Sequence, residues 1–376
     1  MMTSSSESSS TLPFIPRAAL GEFEWNPETR AWRRPPLDRE LLRQLSERST
    51  LNGLARVGAF VALLLATAVL TVRTAAYSPW LAIIPLYAYY FLTGFWVAIA
   101  HELQHKMVFA PAADRFSEIL FFLVQVAIWN SPRYARISHR LHHRYTMVRG
   151  QDPETDWPEV ITSRWLRRYL LRLTLNILFI GALRELALAV WTQMRRAAGA
   201  RDRMMRDHCA PEDIRAIRIE SATILLIHLV IAASALVFRT WWPILLGTMA
   251  WHVGASIEAL WHQTEHIGRL YNVNDMRLCT RSIRVGPFIR FIYWGLDDHV
   301  DHHLFPAVPS RNLPKLHAVL KHDLPEPKTM IGCWREMFAI AREKDRRPDH
   351  EYVPIPLPRP DPPLETGPLR GLSRPR

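Results

Sequence analysis

The chain has 376 residues, 49% of them hydrophobic, a net charge of +12 and three cysteines. That length allows one large domain or two ordinary ones. Cys209, Cys279 and Cys333 lie far apart with no CxxC spacing, which excludes an in-chain iron–sulfur or rubredoxin-like module and gives no disulfide framework.

The chain opens on MMTSSSESSSTL, serine-rich and not followed directly by an apolar region, so no secretory signal is expected. Residues 1–50 read as a flexible, amphipathic N-terminal segment. Two closely spaced apolar stretches follow, predicting spans over 57–76 and 80–100; Trp80 to Ala100 runs 21 residues without a charge, about what a hydrocarbon core requires. Ser117 to Trp129 is apolar but too short to span, and is expected to be re-entrant or interfacial. Residues 165–196 carry Arg184 and Glu185 in apolar surroundings and predict an interfacial amphipathic helix. A second pair of spans is expected over 219–238 and 241–261, the latter holding one acid, Glu258. The ordered domain is thus placed at 51–346, with a proline-rich, disordered tail over 347–376.

Charge distribution orients these spans. Arg33, Arg34, Arg39, Arg43, Arg48 and Arg56 crowd the entry to the first hairpin, while the tight connections VRTAAYSP and RTWW carry one arginine each. By the positive-inside rule both termini and the inter-hairpin segment are cytoplasmic. The basic excess then reflects topology and anionic headgroups; no aromatic–basic motif points to nucleic acid.

Ten of the sixteen histidines fall in four five-residue windows: HELQH (His101, His105), HRLHH (His139, His142, His143), HQTEH (His262, His266) and HVDHH (His299, His302, His303). On a helix, positions i, i+3 and i+4 share one face, so each window can aim its imidazoles at a common point. The predicted topology puts all four on the same side of the membrane. The expected architecture is therefore an all-α integral membrane protein, with four transmembrane helices in two hairpins and a cytoplasmic helical cap holding a histidine-rich di-metal site.

Read alone, HELQH matches the H-E-x-x-H signature of zinc proteases. Ten converging histidines exceed what one tetrahedral zinc takes and suit two metals, although imidazole-rich sites accept zinc, copper or iron. A bis-histidine haem would need its ligands within the spans. A metal transporter would want polar groups through the spans, and the second span has none that is charged.

The ordered set HELQH, HRLHH and HVDHH, with SHRLHHRYT, GQDPETD and DHVDHHLFPAVPSRNLPKLH around it, resembles the histidine boxes of the integral-membrane fatty acid desaturase and alkane hydroxylase superfamily over about residues 80–322. That resemblance implies a non-haem di-iron centre using O2 as co-substrate. Its ligands by position are His101, His105, His139, His142, His143, His299, His302 and His303, with His266 as the family's further histidine. His262 departs from the family, which often has asparagine there, and is taken as a tenth ligand. Second-shell carboxylates are sought among Glu102, Asp152, Asp156, Glu258, Glu265, Asp298 and Asp301, since metal-bound imidazoles usually give their second N–H to a carboxylate or carbonyl. The implied reaction is desaturation of an acyl chain or lipid-like molecule, with hydroxylation of an alkane, terpenoid or small metabolite as the alternative. Electrons would come from a separate ferredoxin, rubredoxin or cytochrome b5-like donor with its reductase, because the chain shows no haem, flavin or nicotinamide module. His252 and Glu258 are expected to face a substrate pocket and His228 to be hydrogen-bonded within the bundle. His208, His317, His322 and His350 read as surface residues, and Trp261 and Trp294 as packing or anchoring groups.

Overall fold

The computed structural model describes residues 14–354. Strand β1 (Phe14–Pro16) leads through a 3-10 turn into helix α1 (Arg39–Leu45), started by the Asp38 side chain accepting from Leu41 N. A hairpin of α2 (Thr50–Ala75) and α3 (Pro79–Gly94) follows, each begun by a serine, Ser49 and Ser78, that satisfies a free amide of the first turn. Outward-facing Leu65, Leu70, Trp80 and Ile84 stay exposed along this hairpin, an apolar belt that suits lipid rather than water. After a kink at Phe95, α4 (Trp96–Gln104) prolongs α3.

Helices α5 (Asp114–Ala127) and α6 (Pro132–Tyr145) form the next layer. The amphipathic helix expected over 165–196 is two helices, α7 (Ser163–Ile177) and α8 (Ala182–Ala197), bent 93° apart. Phe179 takes a positive φ at the break, and a side chain on Gly181 would meet Asn176 Oδ1 at 2.0 Å; the chain can turn there but not continue as one helix. Short α9 (Arg203–His208) then leads into α10 (Pro211–Val237).

Among the described residues three helical stretches are long and apolar enough to cross a membrane: Thr50–Ala75, Pro79–Gln104 and Pro211–Val237. The bent α7–α8 pair makes a fourth if it counts as one span. The stretch expected to span at 241–261 holds one π-helical turn, Ile244–Thr248, ahead of α11 (Ala250–His262). Helix α11 by itself has 13 residues, fewer than the ~20 of a full span, and the helical backbone at Pro243 and Met249 carries the π turn into it.

Helix α11 crosses α3 backbone to backbone. A Cβ on Gly94 would lie 2.2 Å from Gly254 O, and one on Gly254 2.3 Å from Tyr90 O. Only glycine at both positions permits this approach, and it brings the C-terminal ends of the α3–α4 unit and of α11 to the same end of the bundle.

There a cap is built from α12 (Met276–Cys279), α13 (Pro287–Ile292), α14 (His299–Leu304), α15 (Leu313–Leu320) and α16 (Met330–Lys344). Parallel β2 (Ile283–Arg284) and β3 (Lys328–Thr329) tie its halves together. The flexible start expected over residues 1–50 is packed from Phe14 onward: Leu20, Phe23 and Leu45 are buried against Val273, Leu313 and Leu316 of the cap. The tail expected from residue 347 first forms β4 (His350–Tyr352), antiparallel to β1 in the register Phe14↔Tyr352. Sequence composition marks such segments as polar, but these few apolar side chains find a ready core. Residues 1–13 and 355–376, which hold the rest of both expected segments, lie outside the described residues.

One buried carboxylate gathers the cap. Glu336 on α16 accepts from Arg281 at 2.8 and 3.1 Å and from Tyr352 at 3.0 Å, contacts Lys328, and lies 3.5 Å from Arg269. Arg281 in turn donates to the carbonyls of Thr264 and Ile267, holding the turn that carries His266. Burial would raise the Glu336 pKa, but Arg269, Arg281 and Lys328 overcome it and hold the carboxyl well below its ordinary range. Replacing Glu336 by Gln strands two buried guanidinium groups and is expected to cost about 3–5 kcal/mol. Because the folded pKa is depressed, this stabilisation is complete above the unfolded value of about 4.3 and fades as pH falls below it. Unfolding in detergent should show a wild-type-minus-E336Q difference that is constant from pH 5 to 8 and shrinks below pH 4; a difference that does not shrink would exclude the charged network.

Candidate metal centre

Four elements deliver the histidines. His101 sits in the last turn of α4 and His105 at its C-cap, where Lys106 turns the chain with φ 59°. Helix α6 begins at Ser131, whose hydroxyl accepts from Tyr134 N, and presents His139, His142 and His143 one helical turn apart. The turn beyond α11 carries His266, and α14 presents His299, His302 and His303.

These side chains sort into two groups. His101, His105, His139, His143 and His302 form one; His142, His266, His299 and His303 form the other; within each, the candidate ligand nitrogens lie within 4.8 Å of one another. In the first, Nε2 of His105 is 2.9 Å from His139 Nε2 and 3.1 Å from His143 Nε2, and His302 Nε2 is 3.2 Å from His143 Nε2. In the second, His299 Nε2 is 3.0 Å from Nε2 of both His266 and His303. Imidazole nitrogens around a shared metal at ~2.1 Å fall about 3 Å apart.

The opposite edges of the rings fix which nitrogen holds the lone pair. His139 Nδ1–H donates to Glu154 Oε2 at 3.1 Å and His142 Nδ1–H to Asp152 at 3.0 Å. His266 Nδ1–H donates to the Cys279 carbonyl at 3.1 Å. Thr146 spends its own proton on the His142 carbonyl and accepts from His303 Nδ1–H at 3.2 Å. Four Nε2 atoms therefore point lone pairs inward. Burial, reinforced by neighbouring imidazoles, holds His105, His143, His266, His299, His302 and His303 well below the ordinary histidine pKa. Neutral rings are the metal-binding form. His101 has neither ring nitrogen hydrogen-bonded among the described residues. Buried lone pairs at such spacing repel unless a cation joins them, so the donor set fits a pair of metal ions.

The expected residues are divided by this geometry. Nine of the ten histidines enter the two groups. His262 does not; its Nδ1 lies 3.0 Å from Glu265 Oε2 instead, because it ends α11 a full turn before His266. Of the expected second-shell carboxylates, Asp152 holds a ligand ring directly. Glu265 accepts from the Tyr293 hydroxyl and has Oε2 3.4 Å from His299 Nε2. Glu102 accepts from Ser310 N at 3.1 Å and approaches His101 Nδ1 only to 3.8 Å. Asp301 accepts from His317 Nδ1 at 3.1 Å, so His317 is not a free surface residue, and Asp298 pairs with Arg290 at 3.2 Å. Glu258 is buried with Oε1 unpaired, and Asp156 is exposed beside α9; neither holds a ligand histidine. His228 stacks on Trp129 and bonds the Val126 carbonyl, and His252 lies 5.8 Å from the same tryptophan, remote from both groups.

Glu154, Thr146 and the Cys279 carbonyl are the partners that sequence reasoning missed. Glu154 was within reach, standing two residues after Asp152 in GQDPETD; Asp152 Oδ1 accepts from Glu154 N at 2.9 Å, so one turn positions both carboxylates.

Two cavities meet the centre. One of about 310 Å³ touches both groups, through His101 and His139 on one side and His142, His266 and His299 on the other. A second, about 440 Å³, reaches only the five-histidine group, through His105, His139 and His143, between Arg136, Arg140, Pro306 and Ala307.

The family model described as fatty acid desaturase matches residues 78–334. No curated protein matches the chain. The two carboxylate anchors serve different groups, which makes them separable. Asp152→Ala should weaken metal binding at the four-histidine group about 10–100-fold, and Glu154→Ala at the five-histidine group by a similar factor. Metal titration followed by elemental analysis checks this, and loss of both metals together in the Glu154→Ala variant, which leaves Asp152 in place, would contradict the division into two groups.

Proposed function

The chain belongs to the fatty acid desaturase family, and from that membership we propose that it is a membrane oxidase that takes hydrogen from an unactivated C–H bond. The observation that carries this reading is two adjoining sets of inward-facing imidazole lone pairs under one cavity. Iron bound there would supply the redox capacity that zinc lacks, coupling reduction of O2 by two external electrons to oxidation of the substrate. Desaturation removes two hydrogens and yields two waters; hydroxylation inserts one oxygen and yields one water. Both begin with the same hydrogen abstraction, and HHLFP favours the desaturase branch.

The chain's own residues prepare the site. Asp152, Glu154, Thr146 and the Cys279 carbonyl lock four rings as Nε2 donors. Glu265, bracketed by Tyr293 and His262, places a carboxylate at the edge of the four-histidine group, where it can hold a proton at Oε2. Val97, Ala100, Ile128 and Leu296 keep part of the cavity apolar and limit water near the reacting carbon. In this reading Glu102 serves the fold, its Oε2 accepting from the Ser310 amide while Oε1 faces His101 Nδ1 at 3.8 Å. On this reading the positive-inside rule assigns the arginine-rich ends, and the cap with them, to the cytoplasmic side.

Electrons would enter through the second cleft. It reaches His105, His139 and His143 directly, and exposed Arg140 there makes no hydrogen bond or ion pair among the described residues. A small redox protein with an acidic face around its own centre suits that edge.

Mass spectrometry of cells making the chain or its His303→Ala variant, with a reducing partner supplied, tests the reaction. Species lighter by two hydrogens, or heavier by one oxygen, should accumulate only with the intact site. A purified protein holding one zinc would refute the reading. Separately, Arg140→Glu should raise the KM for an acidic protein donor about tenfold; an unchanged donor KM would remove this cleft as the docking face.

A further inference from the structure

The cavity over the metal groups has one polar wall facing its apolar one, where an acyl tunnel would be apolar throughout. Gln125 on α5 lines it while only 1% exposed, and its side chain makes no hydrogen bond among the described residues, with Oε1 fully buried. Gln263, just past α11, also lines it and also has a buried, unpaired Oε1. Asn130, Thr155 and Glu154 extend the polar wall, and no lysine or arginine lines it.

Such amides are costly as they stand. A buried carbonyl left unpaired loses about 1–3 kcal/mol, and a methylene chain laid against Gln125 would perpetuate that loss. An O–H or N–H on the substrate would relieve it, and a site built to pair such donors rejects analogues that lack them. Size agrees: about 310 Å³ is at the lower end for small-molecule pockets. Of the side chains lining the cavity, His262 is held cationic by Glu265, 3.0 Å away, and that carboxylate already balances its charge.

Resting on the oxidase reading above, we infer that the substrate is a compact molecule whose hydroxyl or amine donors pair with Gln125 and Gln263 beside the carbon that is oxidised. The unbranched tail of a fatty acyl chain is not what this cavity selects. Gln125 thereby becomes a specificity residue that touches substrate and carries no part of the metal ligation.

The test uses the full-length protein in its source organism. Extracts of cells carrying the wild-type chain, His303→Ala or Gln125→Leu are split into water-soluble and lipid fractions and compared by untargeted mass spectrometry. The expected result is a product 2 mass units lighter or 16 heavier, confined to the water-soluble fraction, absent in His303→Ala and reduced about tenfold or more in Gln125→Leu. The purified Gln125→Leu protein should bind as much iron as wild type and melt no lower, since the substitution removes an unpaired buried amide. A site-dependent change in lipid acyl chains, or a Gln125→Leu protein with undiminished product, would overturn the inference while leaving the oxidase reading intact. A lower melting temperature with product loss in proportion to protein loss would make Gln125 structural and likewise overturn it. No site-dependent product in either fraction would defeat the oxidase reading itself.

Discussion

Nine imidazoles crowded into two adjoining groups present an electrostatic problem that governs the rest of the molecule. Where hydrogen bonds on the outer edge fix the tautomer, the inner nitrogen carries a lone pair, and several such pairs confront one another at about 3 Å. In a low-dielectric interior that arrangement is unfavourable without a cation to share. A cation bound there would couple metal affinity to folding, because α6 and α14 would each hold it with their own imidazoles.

The surrounding fold can be understood as what keeps those rings from relaxing apart. The glycine contact between α3 and α11 leaves no room for the two helices to drift. The kink at Phe95 redirects α4 so that His101 and His105 enter the group from one side. Across the cap, Glu336 draws in Arg281, whose guanidinium also grips the carbonyls of Thr264 and Ile267, so the turn bearing His266 is fixed by charge as well as by packing. Arg269, buried beside Arg281, is pushed down to about 10 and still carries its charge at neutral pH. The site is thus supported from both the membrane helices and the cap.

The histidine windows were legible because helical periodicity is local: i, i+3 and i+4 share a face whatever the tertiary context. The first hairpin and Pro211–Val237 were legible because uninterrupted hydropathy has few alternatives. What could not be read depends on where separate segments meet. The division into five and four ligands follows from the angle at which α6 inserts its three rings, sending His142 to one group and its neighbour His143 to the other. His262 belongs to a histidine-rich window yet falls outside both groups, since the turn after α11 carries only His266 inward. The bend at Phe179, the π turn ahead of α11 and the burial of Leu20 and Phe23 arise from backbone breaks and long-range packing that hydropathy averages away.

The pairing of β1 with β4 joins the two ends of the described chain. During synthesis the first of these strands emerges long before its partner exists, and Leu20 and Phe23 must wait for the cap residues that cover them. Contacts so distant along the chain are slow to form. The strand pair that closes the cap can therefore form only after nearly all of the described chain has been made. Any metal held by the two histidine groups would then be taken up by a chain whose first hairpin has long been complete.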